Sequence, residues 1–314
     1  MGAVLTVLLG LSGAVVYGFA DFLGGLASRR VRAVTVAAVA AAVGIAPLLL
    51  GLVVVGGRST WTGTIWGAVA GVSGGVGVLL LYRALAIGPM SVLSPLTAVF
   101  AAVVPVLVAV VRGTALSGLA IGALVVAVVA VVLVAAVRDT SGARVTALGL
   151  VTAAVAGCGF GGIVLAYDQT PADSGVAPLI VSRVLQAVLL GTAAVVSGLV
   201  RRPGGAGDPA TRADVAGSAA PPGPTLRLSA RWPVRLVVAV VACGVLDALA
   251  NVFIQAGLHS SDDPATLPVV SVLNALYPIG TVVLAGIVLR EQLTAVQWSG
   301  IVLAFAASVG LALA

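Results

Sequence analysis

Apolar runs separated by short polar connections follow one another along the whole chain, near residues 3–27, 31–55, 62–87, 90–111, 116–137, 144–167, 175–199, 232–258, 264–289 and 294–313. Each is about as long as the roughly 20 residues a helix needs to cross the hydrocarbon of a bilayer. The runs are apolar around the whole helical circumference rather than along one stripe, as helices are when lipid or other helices surround them. The pattern predicts an all-α polytopic membrane protein of ten transmembrane helices. Most connections are very short. The exception is 201–231, where Pro203, Pro209, Pro221, Pro222 and Pro224 stand among glycines and arginines, a composition expected of a disordered loop.

The polar and small positions show that the pattern occurs twice. Pro95 and Pro105 recur as Pro268 and Pro278, Leu116-Ser117 as Leu293-Thr294, Gly71 as Gly244, and the run 31–55 as 174–198. The chain therefore divides into two five-helix repeats, 1–139 and 140–314, with 201–231 inserted in the second. Five is odd, so the second repeat enters the membrane upside down relative to the first. This inverted repeat, with a pseudo-two-fold axis in the membrane plane, is typical of secondary transporters that bind substrate near the midplane. Small residues at four-residue spacing (Gly10, Ala14 and Gly18; Ala153, Gly157 and Gly161; Gly67, Gly71 and Gly75) predict grooves where helices approach closely.

Composition narrows the class further. Of 314 residues, 61% are hydrophobic and 8% charged, at mean hydropathy +1.22. A soluble chain carries about 25% charged residues. The net charge of +6 comes from arginines without lysine, mostly in connections, and reads as an orientation signal rather than nucleic-acid binding. Arginines concentrate in the connections after the first, fifth, seventh and ninth runs, whereas the other side holds Arg58 and Arg112. That bias places both termini outside the cytoplasm. Cys158 and Cys243 lie inside apolar runs, which argues against a disulfide framework.

Two motifs carry a family resemblance. Tyr82-Arg83-Ala84-Leu85-Ala86-Ile87-Gly88-Pro89 stands in the first half, and Leu289-Arg290-Glu291-Gln292-Leu293-Thr294 in the second, followed by Gln297 and Gly300. The chain resembles the drug/metabolite transporter superfamily, in particular its ten-helix EamA-type members. In the first half Thr114 stands where the motif has its Glu, so no symmetric role for that Glu is expected. The resemblance implies metabolite or drug efflux through a central cavity, and more usually both termini inside, against the charge bias.

Ionisable groups within spanning helices are costly and are functional candidates. Four stand out: Asp21, Arg83, Arg183 and Asp247. Counting depth at 1.5 Å per residue puts Asp21 with Arg83 near one face, as a candidate gate pair, and Arg183 with Asp247 near mid-membrane. Asp247, Asn251 and Gln255 are four apart and share one helix face, as do Asn274 and Tyr277. Tyr17 lies one turn before Asp21. The first-half equivalents of Asp247, Asn251, Asn274 and Tyr277 are Gly74, Val78, Ala101 and Val104, so polar chemistry is concentrated in the second half. These side chains either line a cavity or bind helices to one another.

The expected substrate-binding set is Tyr17, Arg183, Asp247, Asn251, Gln255, Asn274 and Tyr277, with Asp21, Arg83 and Asp247 in proton coupling or gating. Arg183 would hold a substrate carboxylate, and Asp247 or Asp21 would exchange a proton. His259, beside Ser260, Ser261, Asp262 and Asp263, is expected to be solvated. No Cys/His spacing suggests a metal, no cofactor motif is present, and no nucleophile has a plausible base at depth, so an enzyme is not expected. The expected function is export of a small amphipathic or zwitterionic metabolite by alternating access across the plasma (inner) membrane. The protein would act as a monomer or homodimer, with a proton as coupling ion and no nucleic-acid partner. The alternatives are a flippase for a lipid-linked headgroup and a non-transporting membrane scaffold or regulatory subunit.

Overall fold

A computed structural model describes residues 2–87, 90–135, 146–200 and 232–288, with 294–296, 298–300, 302–303 and 306–307. Among these residues every regular element is helical. The helices are α1 (Gly2–Ser28), α2 (Ala33–Val55), α3 (Trp61–Ile87), α4 (Met90–Val111), α5 (Gly118–Ala135), α6 (Ala147–Asp168), α7 (Ala177–Val200), α8 (Val234–Leu258), α9 (Thr266–Asn274) and α10 (Tyr277–Val288). A 3-10 turn, Ala172–Ser174, joins α6 to α7. Among the described residues, α1, α2, α3, α6, α7 and α8 are long and apolar enough to cross a membrane. The inserted loop 201–231, the junction near 139, Leu289–Leu293 and Gln297 lie outside the described residues.

Local chemistry explains where helices begin and end. Thr146 caps α6, its hydroxyl accepting from the Gly149 N–H at 3.1 Å. Gly56, Gly57 and Gly113, all at positive φ, follow the last turns of α2 and α4, a backbone that other residues seldom adopt. The apolar run 264–289, expected as one helix, is interrupted: α9 stops at Asn274, Ala275-Leu276 form a turn, and α10 starts at Tyr277. Pro278 contributes to the break. It has no N–H to return to the Asn274 carbonyl four residues earlier.

The principal packing partners cross between the two sequence halves. α1 runs along α8 and α6 along α3, while α2 packs on α7 and α8, and α3 on α7. α6 lies against α4, and α1 against both α9 and α10. The small-residue grooves are the contact lines. A Cβ on Gly18 would meet the Tyr277 carbonyl oxygen at 2.5 Å and the Gly280 Cα at 2.8 Å. Gly244 of α8 sits on the Ala40 backbone of α2, as its twin Gly71 of α3 sits on Ser182 of α7. Outside these lines the helices present Val53, Val54, Val111, Leu148, Val188 and Val195, all exposed, an apolar surface suited to lipid.

One end of the bundle, where α1 begins, is tied by polar contacts. Thr6 bonds Ser260, the Arg58 N–H donates to the Asp173 carbonyl at 3.1 Å, and Arg112 pairs with Asp168 at 3.6 Å. His259 completes the layer. It is half-buried at the C-terminus of α8, with ring nitrogens 2.9 Å from the Gln255 carbonyl and 2.8 Å from the Thr170 carbonyl. The expectation of a merely solvated histidine is corrected, because α8 ends beside the turn that follows α6.

Candidate functional site

Arg183 and Asp247 form an ion pair between α7 and α8, with both side chains almost wholly buried. The pairing expected from depth is therefore present. Arg183 also donates to the Gln186 side-chain oxygen at 3.1 Å, and Gln186 donates to the Ser182 hydroxyl at 3.3 Å. The guanidinium Nε has no partner. With its charge already met by Asp247, Arg183 in this conformation presents no free cation to a substrate.

The polar stripe of α8 also faces other helices. Asn251 donates to its own helix at the Asp247 carbonyl, 2.8 Å away, and Gln255 donates to the Thr170 hydroxyl at 3.3 Å. Asp247, Asn251 and Gln255 are all buried, and none is on the wall of the central cavity. Their shared face was legible, but its role in this conformation is to hold α8 against α7 and the α6–α7 turn.

The cavity lies elsewhere, between α1, α6, α8 and the α9–α10 interruption. Its wall is Tyr17, Asp21, Phe160, Ile163, Val164, Ile254, Asn274 and Tyr277. The space is ≈ 10 Å³, about what one water needs. Tyr277 is fixed from two sides: its hydroxyl donates to the Ser94 carbonyl at 3.2 Å, and its ring meets Phe160 edge-on, centroids 6.4 Å apart. Asp21, 4% exposed, has neither ion-pair nor hydrogen-bond partner among the described residues. Asn274, 5% exposed, has a buried Oδ1 without a partner. Val164 lies one turn before Asp168 and Ile254 one turn before His259, so the cavity floor is about 6–8 Å beneath the tied end of the bundle.

The expected Asp21–Arg83 pair is not formed. Arg83 is exposed. The inward face of α3 at that level belongs to its neighbour Tyr82, whose ring fills the space beside Gly24 and whose hydroxyl lies 3.0 Å from the Cys243 sulfur. Successive residues on a helix point about 100° apart, so Tyr82 facing inward turns Arg83 outward. Of the residues singled out in the sequence, Tyr17, Asp21, Asn274 and Tyr277 meet at the cavity. Arg183, Asp247 and Gln255 form the adjoining helix contacts, and Asn251 bonds within α8. Phe160 was missed, since one aromatic in a glycine-rich helix carries no periodic signal. Thr170 was missed because it follows the end of a run.

Comparison with known proteins agrees with this architecture. Residues 219–313 match the EamA-like transporter family, which bears out the resemblance seen in the sequence. None of the curated proteins matches the chain. A solved crystal structure, described only as that of a protein, aligns over 98% of this chain and 96% of its own at TM-score 0.68 and 15% identity. At that identity the likeness speaks for the fold alone. The match covers the last third of the chain, and the long apolar helices are those of a multi-pass membrane protein.

Proposed function

We propose that the protein is a secondary transporter of the plasma (inner) membrane, built as ten transmembrane helices in two inverted five-helix halves. It exports a small amphipathic or zwitterionic metabolite by alternating access. The observation that carries this reading is the buried carboxyl group of Asp21, without a partner among the described residues, on a cavity between the halves. An ionisable group held at that depth without a partner is unfavourable for stability alone and fits a site that exchanges its occupant. Asp21 is the acidic group available to exchange a proton, because Asp247 is committed to Arg183. The aromatic side chains of Tyr17, Phe160 and Tyr277 supply the apolar surface an amphipathic substrate needs. The reciprocal packing of α1 on α8 and α6 on α3 supports the inverted repeat.

The water-sized cavity corresponds to an occluded conformation, from which the halves must separate to admit substrate. Metabolite profiling of medium and cells, with and without the protein, tests the reading. Export of at least one compound is expected with the native chain and not with Asp21→Asn at equal membrane abundance; an unchanged profile contradicts it.

A flippase is the second reading. A wholly apolar pocket of ≈ 320 Å³ lies between α4 and α5, lined by Ala102, Val106, Leu124 and Val128 among others, and reaches Val272 of α9. A lipid tail would fit such a pocket. Movement of a labelled headgroup lipid between leaflets of proteoliposomes, blocked by Leu124→Trp, would favour this reading over export.

A further inference from the structure

We propose that Asp21 and Asn274 form a site for a dehydrated alkali cation, Na⁺, which competes there with protons. The proposal rests on the transporter reading above and adds the identity of a driving ion.

The cavity wall is lined by residues whose oxygen acceptors have no partner among the described residues. Asp21 brings two carboxyl oxygens, and the two arginines within the spanning helices are engaged or turned away: Arg183 pairs with Asp247, and Arg83 is exposed. Asn274 brings a side-chain oxygen that is buried and unpartnered. The helix interruption adds to this. Pro278 denies the Asn274 carbonyl its helical donor, and α9 ends at that same residue. The C-terminal end of a helix carries partial negative charge, and broken helices in transporters use such ends and unwound carbonyls to coordinate cations. A buried acceptor lacking a donor is costly, whereas a cation placed among several acceptors satisfies them together.

Size selects among cations. With ≈ 10 Å³ free, the conformation described admits an ion no larger than a water molecule, which favours the smaller Na⁺ over K⁺ and excludes an organic ammonium with its carbon chain. The Tyr17 hydroxyl, on the same wall, gives a further oxygen. The first half lacks the counterpart: Ala101 and Val104 occupy the positions of Asn274 and Tyr277, and α4 runs unbroken through Pro105. One cation site per chain is therefore expected, not two related by the repeat.

The test uses the purified full-length protein in detergent at constant ionic strength. Its unfolding midpoint is followed as choline chloride is replaced by NaCl or KCl at pH 8 and pH 6, alongside equilibrium binding of ²²Na⁺. The expected result is a saturable rise with Na⁺ but not K⁺, one ²²Na⁺ bound per chain, and weaker binding at pH 6. Asp21→Asn should abolish both signals, and Asn274→Ala should weaken affinity roughly tenfold. Equal midpoints in all three salts with no bound ²²Na⁺ would overturn the proposal, and so would Na⁺ stabilisation that survives Asp21→Asn. Neither wild-type measurement depends on a variant folding. If Na⁺ fails while metabolite export persists under a pH gradient alone, the ion assignment falls and the transporter reading stands. If export is absent as well, both fall.

Discussion

At the scale of single residues, the two buried acids have opposite environments, and this assigns them different roles. Asp247 is held by Arg183, so removing one partner leaves the other buried and uncompensated. Arg183→Met should destabilise the protein by about 3–5 kcal/mol, whereas Arg183→Met with Asp247→Leu should recover most of that loss. Thermal unfolding of both variants in one detergent measures this. A double variant no better than the single would show that the pair is not the relevant unit. Asp21 has no such partner, and Asp21→Asn should leave stability unchanged or raised while export is lost. Much of this was legible: counting rise along antiparallel helices brings Arg183 within about 6 Å of the depth of Asp247, and a spacing of three puts Asn274 on the face of Tyr277. The Asp21–Arg83 error shows the limit of depth counting. Depth fixes height but not azimuth, and Tyr82, one position away, held the inward direction.

At the scale of elements, close helix approach and one interrupted helix organise the site. Gly244 lies on the Ala40 backbone, and backbone cannot rotate away as a side chain can. Gly244→Ala should therefore cost about 1–3 kcal/mol by overpacking. Gly191, with nothing within 4 Å, is the control, and Gly191→Ala should be neutral or slightly stabilising. Equal effects at the two positions would mean that the small-residue lines are not packing lines. The grooves were legible because glycine recurs at fixed spacing in both halves. The break between α9 and α10 was not, because Pro105 occupies the equivalent place in α4 without breaking it. A proline's effect depends on what fills the gap it leaves, and that is decided by the neighbouring helices. His259 belongs to this scale too. His259→Ala removes the ring contact to the Thr170 carbonyl that joins α8 to the turn after α6, and should speed labelling of a cavity cysteine from the tied end.

At the scale of the whole molecule, the helices pair across the halves, so any movement of one half against the other changes the cavity. The inserted stretch 201–231 has no counterpart in the first half, where a short connection joins α2 to α3. Shortening it to six residues that keep two arginines should leave membrane insertion and export intact. Loss of either would assign the stretch a docking role. The arginine bias leads us to expect the ends of α1 and α7 in the cytoplasm and the tied end outside, whereas the family resemblance leads to the reverse. The central claim is that the cavity opens alternately to the two sides. Its most direct test is a single cysteine at Val164→Cys, on the cavity wall, in a chain with Cys158 and Cys243 replaced by serine and alanine. A membrane-impermeant thiol reagent is applied to right-side-out and inside-out vesicles, with and without an imposed cation gradient. The account predicts modification from both sides, with the gradient speeding one and slowing the other. A cysteine reached from one side only, whatever the gradient, or from neither, would contradict it.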